Sequence, residues 1–306
     1  RLNQLQRWRD LGEMSVISHQ IADEIDAEGY DIVFANTCTF TSIPSLLQFL
    51  RTPSVFYLHE PFGRTYVRQV ERPYRKSNRI RKLLDGIDPL IWLYNRRLDT
   101  IQYKSVWNTK TLLANSLFTQ KQMKIAFNVE TSVSHYGVDT DGFYPMPNVS
   151  KKNYLLSVGE LTPRKGFDFL VESLAQLPPA QRLELRLACN WVDCFERDYV
   201  QNLASQRGVE LKILTNLNTK ELCLQYNQAQ LCIYSPVLEP FGLVPLESMA
   251  CGTPVVGVRE GGVRETVVDG HTGLLTSRDP AEFAAAIVRL LDNPSLAAQM
   301  GRQGSA

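Results

Sequence analysis

The feature that most constrains this chain is a repeated alternation of short apolar runs with amphipathic helical stretches. DIVFAN (31–36) and SVFYLHE (54–60) read as buried parallel strands, with IPSLLQFL (43–50) as a helix between them. TLLANS (111–116) and TSVSHYGVD (131–139) continue as a third and a fourth strand. The alternation restarts after residue 152. NYLLSVG, LELRLA, ELKIL, LCIYSP, TPVVGV and TGLL are apolar enough for strands, and FDFLVESLAQL and PAEFAAAIVRLLD carry helical periodicity. Parallel strands need long crossovers, so this rhythm specifies an α/β fold with doubly wound sheets. The polar stretch TDGFYPMPNVSKK (140–152) has no periodicity and reads as a linker. Two Rossmann-like domains follow, 1–145 and 146–306, expected to face each other across a cleft. In such sheets ligands bind beyond the carboxyl ends of the strands.

Composition narrows the partners. The 306 residues suit two domains of ordinary size, and 33 basic against 32 acidic residues leave no electrostatic footprint of a nucleic-acid binder. There is no run of 18 apolar residues and no signal-peptide core at the N-terminus. Six cysteines without a CxxC pair read as buried reduced thiols rather than a metal site or disulfide framework, which points to a cytoplasmic compartment. The chain opens at Arg1 inside a helical pattern and stops at MGRQGSA after another, so the sequence reads as incomplete at both ends.

The chemistry concentrates in LEPFGLVPLESMACGTPVVG (238–257), where Glu239 and Glu247 stand eight positions apart around Phe241 and Gly242. An apolar strand precedes this stretch and a helix begins at Leu243. A glycine turn followed by a helix N-terminus suits an anion, because backbone approaches closely and N–H groups point outward. Two carboxylates flanking a polyhydroxylated ligand can each accept hydroxyl hydrogen bonds without a metal. In SVGELTPRKGFDFLVESL (157–174) a strand ends at Gly159, and Arg164 and Lys165 precede a second helix, where cations can neutralise a diphosphate leaving group. His59 ends a strand at the switch-point edge of the first sheet, followed by Glu60 and Pro61. Asn115 and Ser116 suit a helix cap, and Gly261, Gly262 and Glu265 a tight turn near the diphosphate.

These motifs resemble the family-4 retaining glycosyltransferases of the GT-B fold, whose signature is E-x7-E within a stretch like EPFGLVPLESMACGTPVVG, followed by a glycine pair as in GGVRETVVDGHTGLL. The resemblance extends over residues 31–145 and, more closely, 154–292. It implies that Glu239 contacts the donor sugar's hydroxyls and Glu247 the nucleotide ribose. Backbone at Phe241, Gly242 and Leu243 would meet sugar and diphosphate, and His59 would touch the sugar from the first domain. Lys165 matches the family's phosphate lysine. Glu160 departs from the arginine that follows the glycine in the family, which leaves Arg164 as the candidate replacement.

The resemblance further implies transfer of a hexose from a UDP- or GDP-linked donor to a hydroxyl acceptor, with retention by front-face attack. The protein would then supply positioning and charge stabilisation, with no metal and no cofactor. A catalytically silent nucleotide-sugar-binding subunit is the alternative, and an epimerase or phosphorylase a third. Residues 64–104 hold eleven Lys/Arg against four Asp/Glu with several aromatics. That composition suits either an anionic membrane surface, with the protein peripheral on its inner face, or a solvated helix pair.

Overall fold

The computed structural model describes residues 2–60, 70–75 and 88–306, and these form two compact units. The first unit holds residues 1–67 and 75–135, the second 68–74 and 136–306.

In the first unit the elements run α1 (Leu2–Glu28), β1 (Val33–Ala35), β2 (Ser54–Leu58), α2 (Pro89–Asn108), β3 (Thr111–Ala114), α3 (Leu117–Phe127) and β4 (Ser132–Val133). The sheet is parallel, in the order β1-β2-β3-β4. Strand β2 alternates buried Ser54, Phe56 and Leu58 with partly exposed neighbours, and its apolar face packs on Ile43, Leu47, Val106 and Met123. The helix expected over 43–50 shrinks to a 3-10 turn, Ser45–Gln48. The turn is closed by Leu47 N donating to Pro44 O (3.2 Å) and Phe49 N donating to Leu46 O (3.0 Å). Ile43 and Leu47 are fully buried all the same, so the apolar residues reach the core without an α-helix.

The second unit contributes β5 (Tyr154–Val158), α4 (Phe167–Ala175), β6 (Glu184–Ala188), α5 (Cys194–Arg207), β7 (Leu211–Leu214), α6 (Thr219–Gln228), β8 (Leu231–Tyr234), α7 (Leu243–Ala250), β9 (Val255–Val258), α8 (Val263–Thr266), β10 (Gly273–Thr276), α9 (Pro280–Leu291) and α10 (Pro294–Ser305). Its sheet is wholly parallel in the order β10-β9-β8-β5-β6-β7. That is the doubly wound order in which β5 and β8 are neighbours and the winding reverses between them. Strands β8, β9 and β10 are buried along their whole length, as a sheet covered on both faces requires. Side chains such as Leu155, Leu170, Ile233 and Ile287 are fully buried, each contributing about 1.5–3 kcal/mol.

The division between the units falls at His135/Tyr136, ten residues before the boundary expected at 145/146. The cause is aromatic: the Tyr136 ring meets Phe241 edge-on at 5.2 Å, and Phe143 meets Tyr226 at 5.9 Å. Of the six cysteines, Cys189, Cys223, Cys232 and Cys251 are buried, Cys38 is half-buried and Cys194 exposed; none is bridged. Among the described residues no helix is long and apolar enough to cross a membrane.

Candidate active site

The switch point of the second sheet gathers most of the residues singled out in the sequence. The loop after β5 carries Gly159, Arg164 and Lys165, and the loop after β8 carries Glu239, Phe241 and Gly242. Lys165 ends a 3-10 turn, Pro163–Lys165, and its Nζ donates to both Glu239 carboxylate oxygens at 3.1 and 3.0 Å. Both side chains are about one-fifth exposed, 21% and 22%. The lysine stem lies along Gly159, where a Cβ would stand 3.4 Å from Lys165 Cδ.

Backbone ties hold the two loops together. Ser235 Oγ donates to Lys165 O (3.0 Å) and Gly166 O (2.9 Å), and Val237 N donates to Arg164 O at 2.8 Å. Arg278 donates to the carbonyls of Ser235 and Pro236, both at 2.9 Å, and is itself paired with Glu260 at 2.8 Å. Ser235, Glu260 and Arg278 were not among the expected site residues. The phrase VVGVREGG carries no pattern that marks Glu260 as a brace, since its partner lies 18 positions on.

Gly261 and Gly262 have a structural task here. A Cβ on Gly262 would stand 2.1 Å from Pro240 O, and one on Gly261 2.2 Å from Glu239 O. Gly262 N donates to Glu239 O at 2.8 Å. The glycine pair is therefore pressed against the backbone of the Glu239 loop, and the Gly262 N–H is spent on holding it. Leu238, just before Glu239, takes a left-handed φ of 51°, a strained conformation for a branched side chain.

Helix α7 starts at Gly242 with no side-chain cap, at φ 103° and ψ 67°, a backbone state that favours glycine. Phe241 is buried and Leu243 exposed. One turn on, half-buried Glu247 accepts from Tyr226 Oη at 2.8 Å. Burial pushes the Glu247 carboxyl above the ordinary range, and the tyrosine's hydrogen bond partly offsets that. A cavity of about 280 Å³ adjoins Gly159, walled by Ala188, Asn190, Trp191, Leu217 and Leu222. Glu160 lies at its rim, exposed. Among the described residues no group of three or more His, Cys, Asp or Glu side chains is placed to hold a metal ion.

His59 belongs to the first unit. It follows β2, its Nε2 lies 2.9 Å from Asn36 Oδ1, and its carbonyl accepts from Asn115 Nδ2 at 2.7 Å. Burial lowers its pKa, against the opposing charge of Glu60. Ser116 caps α3 by accepting from Thr119 N at 2.9 Å.

The parallel six-stranded sheet, with a lysine–glutamate pair at its switch point, is a Rossmann-like unit, and with the first sheet the fold is that of the GT-B glycosyltransferases. The chain belongs to the glycosyl transferases group 1 family, whose model matches residues 145–306. It is similar to the human alpha-1,3/1,6-mannosyltransferase ALG2, 29% identical over 244 residues, covering 70% of this chain and 58% of that protein. It is similar also to D-inositol 3-phosphate glycosyltransferase 2 of Catenulispora acidiphila, 32% identical over 184 residues, covering 54% and 43%. The chain spans about half the length of the curated relatives it matches. Among solved structures, Anabaena HepE in complex with UDP and glucose superposes with a TM-score of 0.73 at 22% identity, covering 96% of this chain and 77% of that one.

Proposed function

We propose that the protein transfers a hexose from a UDP- or GDP-linked donor to a hydroxyl acceptor, with retention and without a metal. The observation that carries this reading is the Lys165–Glu239 pair at the switch point, beside a helix start with no side-chain cap. In the free protein the two charges compensate each other. A bound donor would divide them: the ammonium turns to the diphosphate and the carboxylate accepts sugar hydroxyls. Arg164, on the same turn, adds a second cation on the phosphate side. The N-terminal end of α7 faces the same charge through backbone at Phe241, Gly242 and Leu243. Glu247 accepts from the ribose, and the cavity beside Gly159 offers Trp191 and Leu217 as apolar walls for a base.

As the bond from sugar to diphosphate breaks, negative charge grows on the leaving phosphate, and Lys165 stabilises that charge more than it stabilises the ground state. The leaving phosphate takes the acceptor's proton in front-face attack, so no protein nucleophile is required. Attack requires the acceptor hydroxyl to be held against the sugar in a reactive geometry.

Steady-state transfer assays on Glu239→Gln beside nucleotide titration test this assignment. Loss of one charge-assisted hydrogen bond costs about 1.5–3 kcal/mol, so turnover should fall roughly ten- to a hundredfold while UDP or GDP still binds. Unchanged turnover removes Glu239 from the site. Donor bound without any turnover by the native chain, across a panel of hydroxyl acceptors, would favour the silent binding subunit instead. Turnover abolished by EDTA and restored by Mg²⁺ would overturn the metal-free part.

Helix α2 supports a second partner, an anionic membrane surface at the inner face. Leu90, Trp92, Leu93, Tyr103 and Trp107 are all exposed on it, and the Arg96 guanidinium lies 5.2 Å from the Trp92 ring. Aromatic and cationic side chains of this kind partition to a lipid interface. Of the basic stretch 64–104, residues 64–69 and 76–87 lie outside the described residues, and Arg72 faces the interior of the second unit. Stronger sedimentation with anionic than with neutral vesicles is the expected result; equal binding would count against it.

A further inference from the structure

Arg72 comes from the basic stretch that composition alone would place on a solvated or lipid-facing surface, yet it is 7% exposed. Its guanidinium is enclosed by two carboxylates and by the carbonyls of Glu71 and Pro163. Nε donates to Glu196 at 2.9 and 3.1 Å, and Nη2 donates to Glu196 Oε1 at 2.8 Å. Nη1 and Nη2 each donate to Asp168, both at 2.9 Å. Nη2 also donates to Pro163 O at 3.3 Å. Tyr74, two residues on, donates to Glu196 and stacks on Phe195 with centroids 6.1 Å apart.

The geometry of these contacts brackets one turn. Pro163 is the first residue of the 3-10 turn that ends in Lys165, and Asp168 lies in the first turn of α4 that follows it. A single guanidinium nitrogen thus touches the residue before and the residue after Arg164-Lys165-Gly166-Phe167. Stability alone is a poor explanation, because a buried ion pair commonly does no better than an apolar isostere of the same volume. A planar fork with fixed donor directions does what an apolar plug cannot, since it sets the distance and angle between two loop positions. The cluster's charges do not balance pairwise either: one cation faces two carboxylates, and the second carboxylate sits where it fixes the exit of the turn.

We infer that Arg72 is a positioning residue for the donor site, holding the Pro163–Lys165 turn so that the Lys165 ammonium meets the donor's diphosphate. The inference rests on the reading of Lys165 as the cation that meets the diphosphate. Arg72 touches no substrate in this account; it acts through the turn. Lysine at this position keeps the charge but cannot span Glu196, Asp168 and Pro163 at once.

The test is calorimetric titration of the native chain, Arg72→Lys, Lys165→Met and the double variant with four probes: UDP, UMP, GDP and GMP. Lys165→Met should reduce the preference for diphosphate over monophosphate, and Arg72→Lys should reduce the same preference by about tenfold, the equivalent of one weakened charge-assisted contact. The double variant should lose no more than Lys165→Met alone. Tyr74→Phe, which removes a single bond to Glu196, should shift the preference the same way by less, and it carries the test together with Asp168→Asn if Arg72→Lys does not fold by circular dichroism. A merely structural Arg72 would lower the melting temperature and weaken all four nucleotides alike, which overturns the inference. Additive losses in the double variant overturn it as well. If Lys165→Met itself leaves the diphosphate preference intact, the reading of Lys165 fails, and the inference falls with it.

Discussion

Helices closed by a side-chain cap can be set, among the described residues, against helices begun on an uncapped glycine; α10, which starts on Asn293 without a side-chain bond, is neither. Among the described residues five helices carry a side-chain cap: α2 on Asp88, α3 on Ser116, α5 on Asp193, α6 on Asn218 and α9 on Asp279. In α6 the cap is a full box, with Glu221 reaching back to the Asn218 N–H. Helices α4 and α7 begin on Gly166 and Gly242, and no side chain caps either one. These two flank the Lys165–Glu239 pair. A side-chain cap satisfies one or two of the first N–H groups and occupies the place an anion would take. A glycine start keeps the dipole and the backbone donors available to a ligand, at the expense of some stability. The glycine starts of α4 and α7 thus lie where the proposed function would seat a diphosphate.

Three substitutions can break or sharpen this contrast. The largest effect is expected from Gly262→Ala. Its φ of −79° suits alanine, so backbone conformation is no obstacle, but the new methyl would lie 2.1 Å from Pro240 O. Pushing the Glu239 loop away should cost about 3 kcal/mol and remove nucleotide binding with it. Denaturant unfolding together with UDP and GDP titration measures both, and a variant as stable and as tight as the native chain would refute the buttress.

An intermediate effect is expected from Glu247→Gln, read as a pH profile of nucleotide affinity. Burial holds the Glu247 pKa above the ordinary carboxylate value. On the proposed function the ionised form would accept from ribose, so affinity should fall as pH drops through that raised pKa, earlier than an exposed glutamate at about 4.3 would allow. Linkage carries the matching sign for the fold. Between the ordinary and the raised pKa the folded state holds more protons than the unfolded, so this group's contribution to stability declines as pH rises through that window. Glutamine should flatten both profiles and weaken binding at neutral pH roughly tenfold. An unchanged acid limb would show that another group sets it.

The smallest effect belongs to the closed kind of start. Ser116→Ala removes the bond from Thr119 N and should cost the first unit about 1 kcal/mol, with nucleotide affinity unchanged. A loss of affinity comparable to that of Glu247→Gln would erase the distinction between capped and glycine-started helices.

Much of this was legible in the sequence because it is written in local patterns. The strands on either side of the switch point are continuous apolar runs, and the glycine starts at 166 and 242 sit at the expected boundary between strand, turn and helix. Ser116 was readable as a cap from its place between TLLA and an amphipathic stretch. The 43–50 segment misled because its apolar spacing fits a helix, although the chain there forms a single 3-10 turn. The direct contact of Lys165 with Glu239 spans 74 positions, and the brace of Arg278 on Ser235 spans 43. Neither has a periodicity to betray it. The glycine pair at 261–262 was visible, but its purpose depends on which backbone it touches, and only the fold supplies that.

The second unit is not a contiguous stretch of chain, and that bears on how it can be made and dissected. Arg72 is synthesised 96 positions ahead of Asp168 and 124 ahead of Glu196. On a ribosome it must wait for both partners to emerge, which makes this closure one of the late, long-range steps of folding. A fragment cut to begin at Tyr136 would keep every strand of the six-stranded sheet and both loops of the candidate site. It would also bury Glu196 beside a vacated hole, with no guanidinium to answer it, a loss that typically amounts to about 3–5 kcal/mol. Such a fragment would look complete on a topology diagram and still lack Arg72 and Tyr74, side chains that the family-matched half of the chain takes from far upstream.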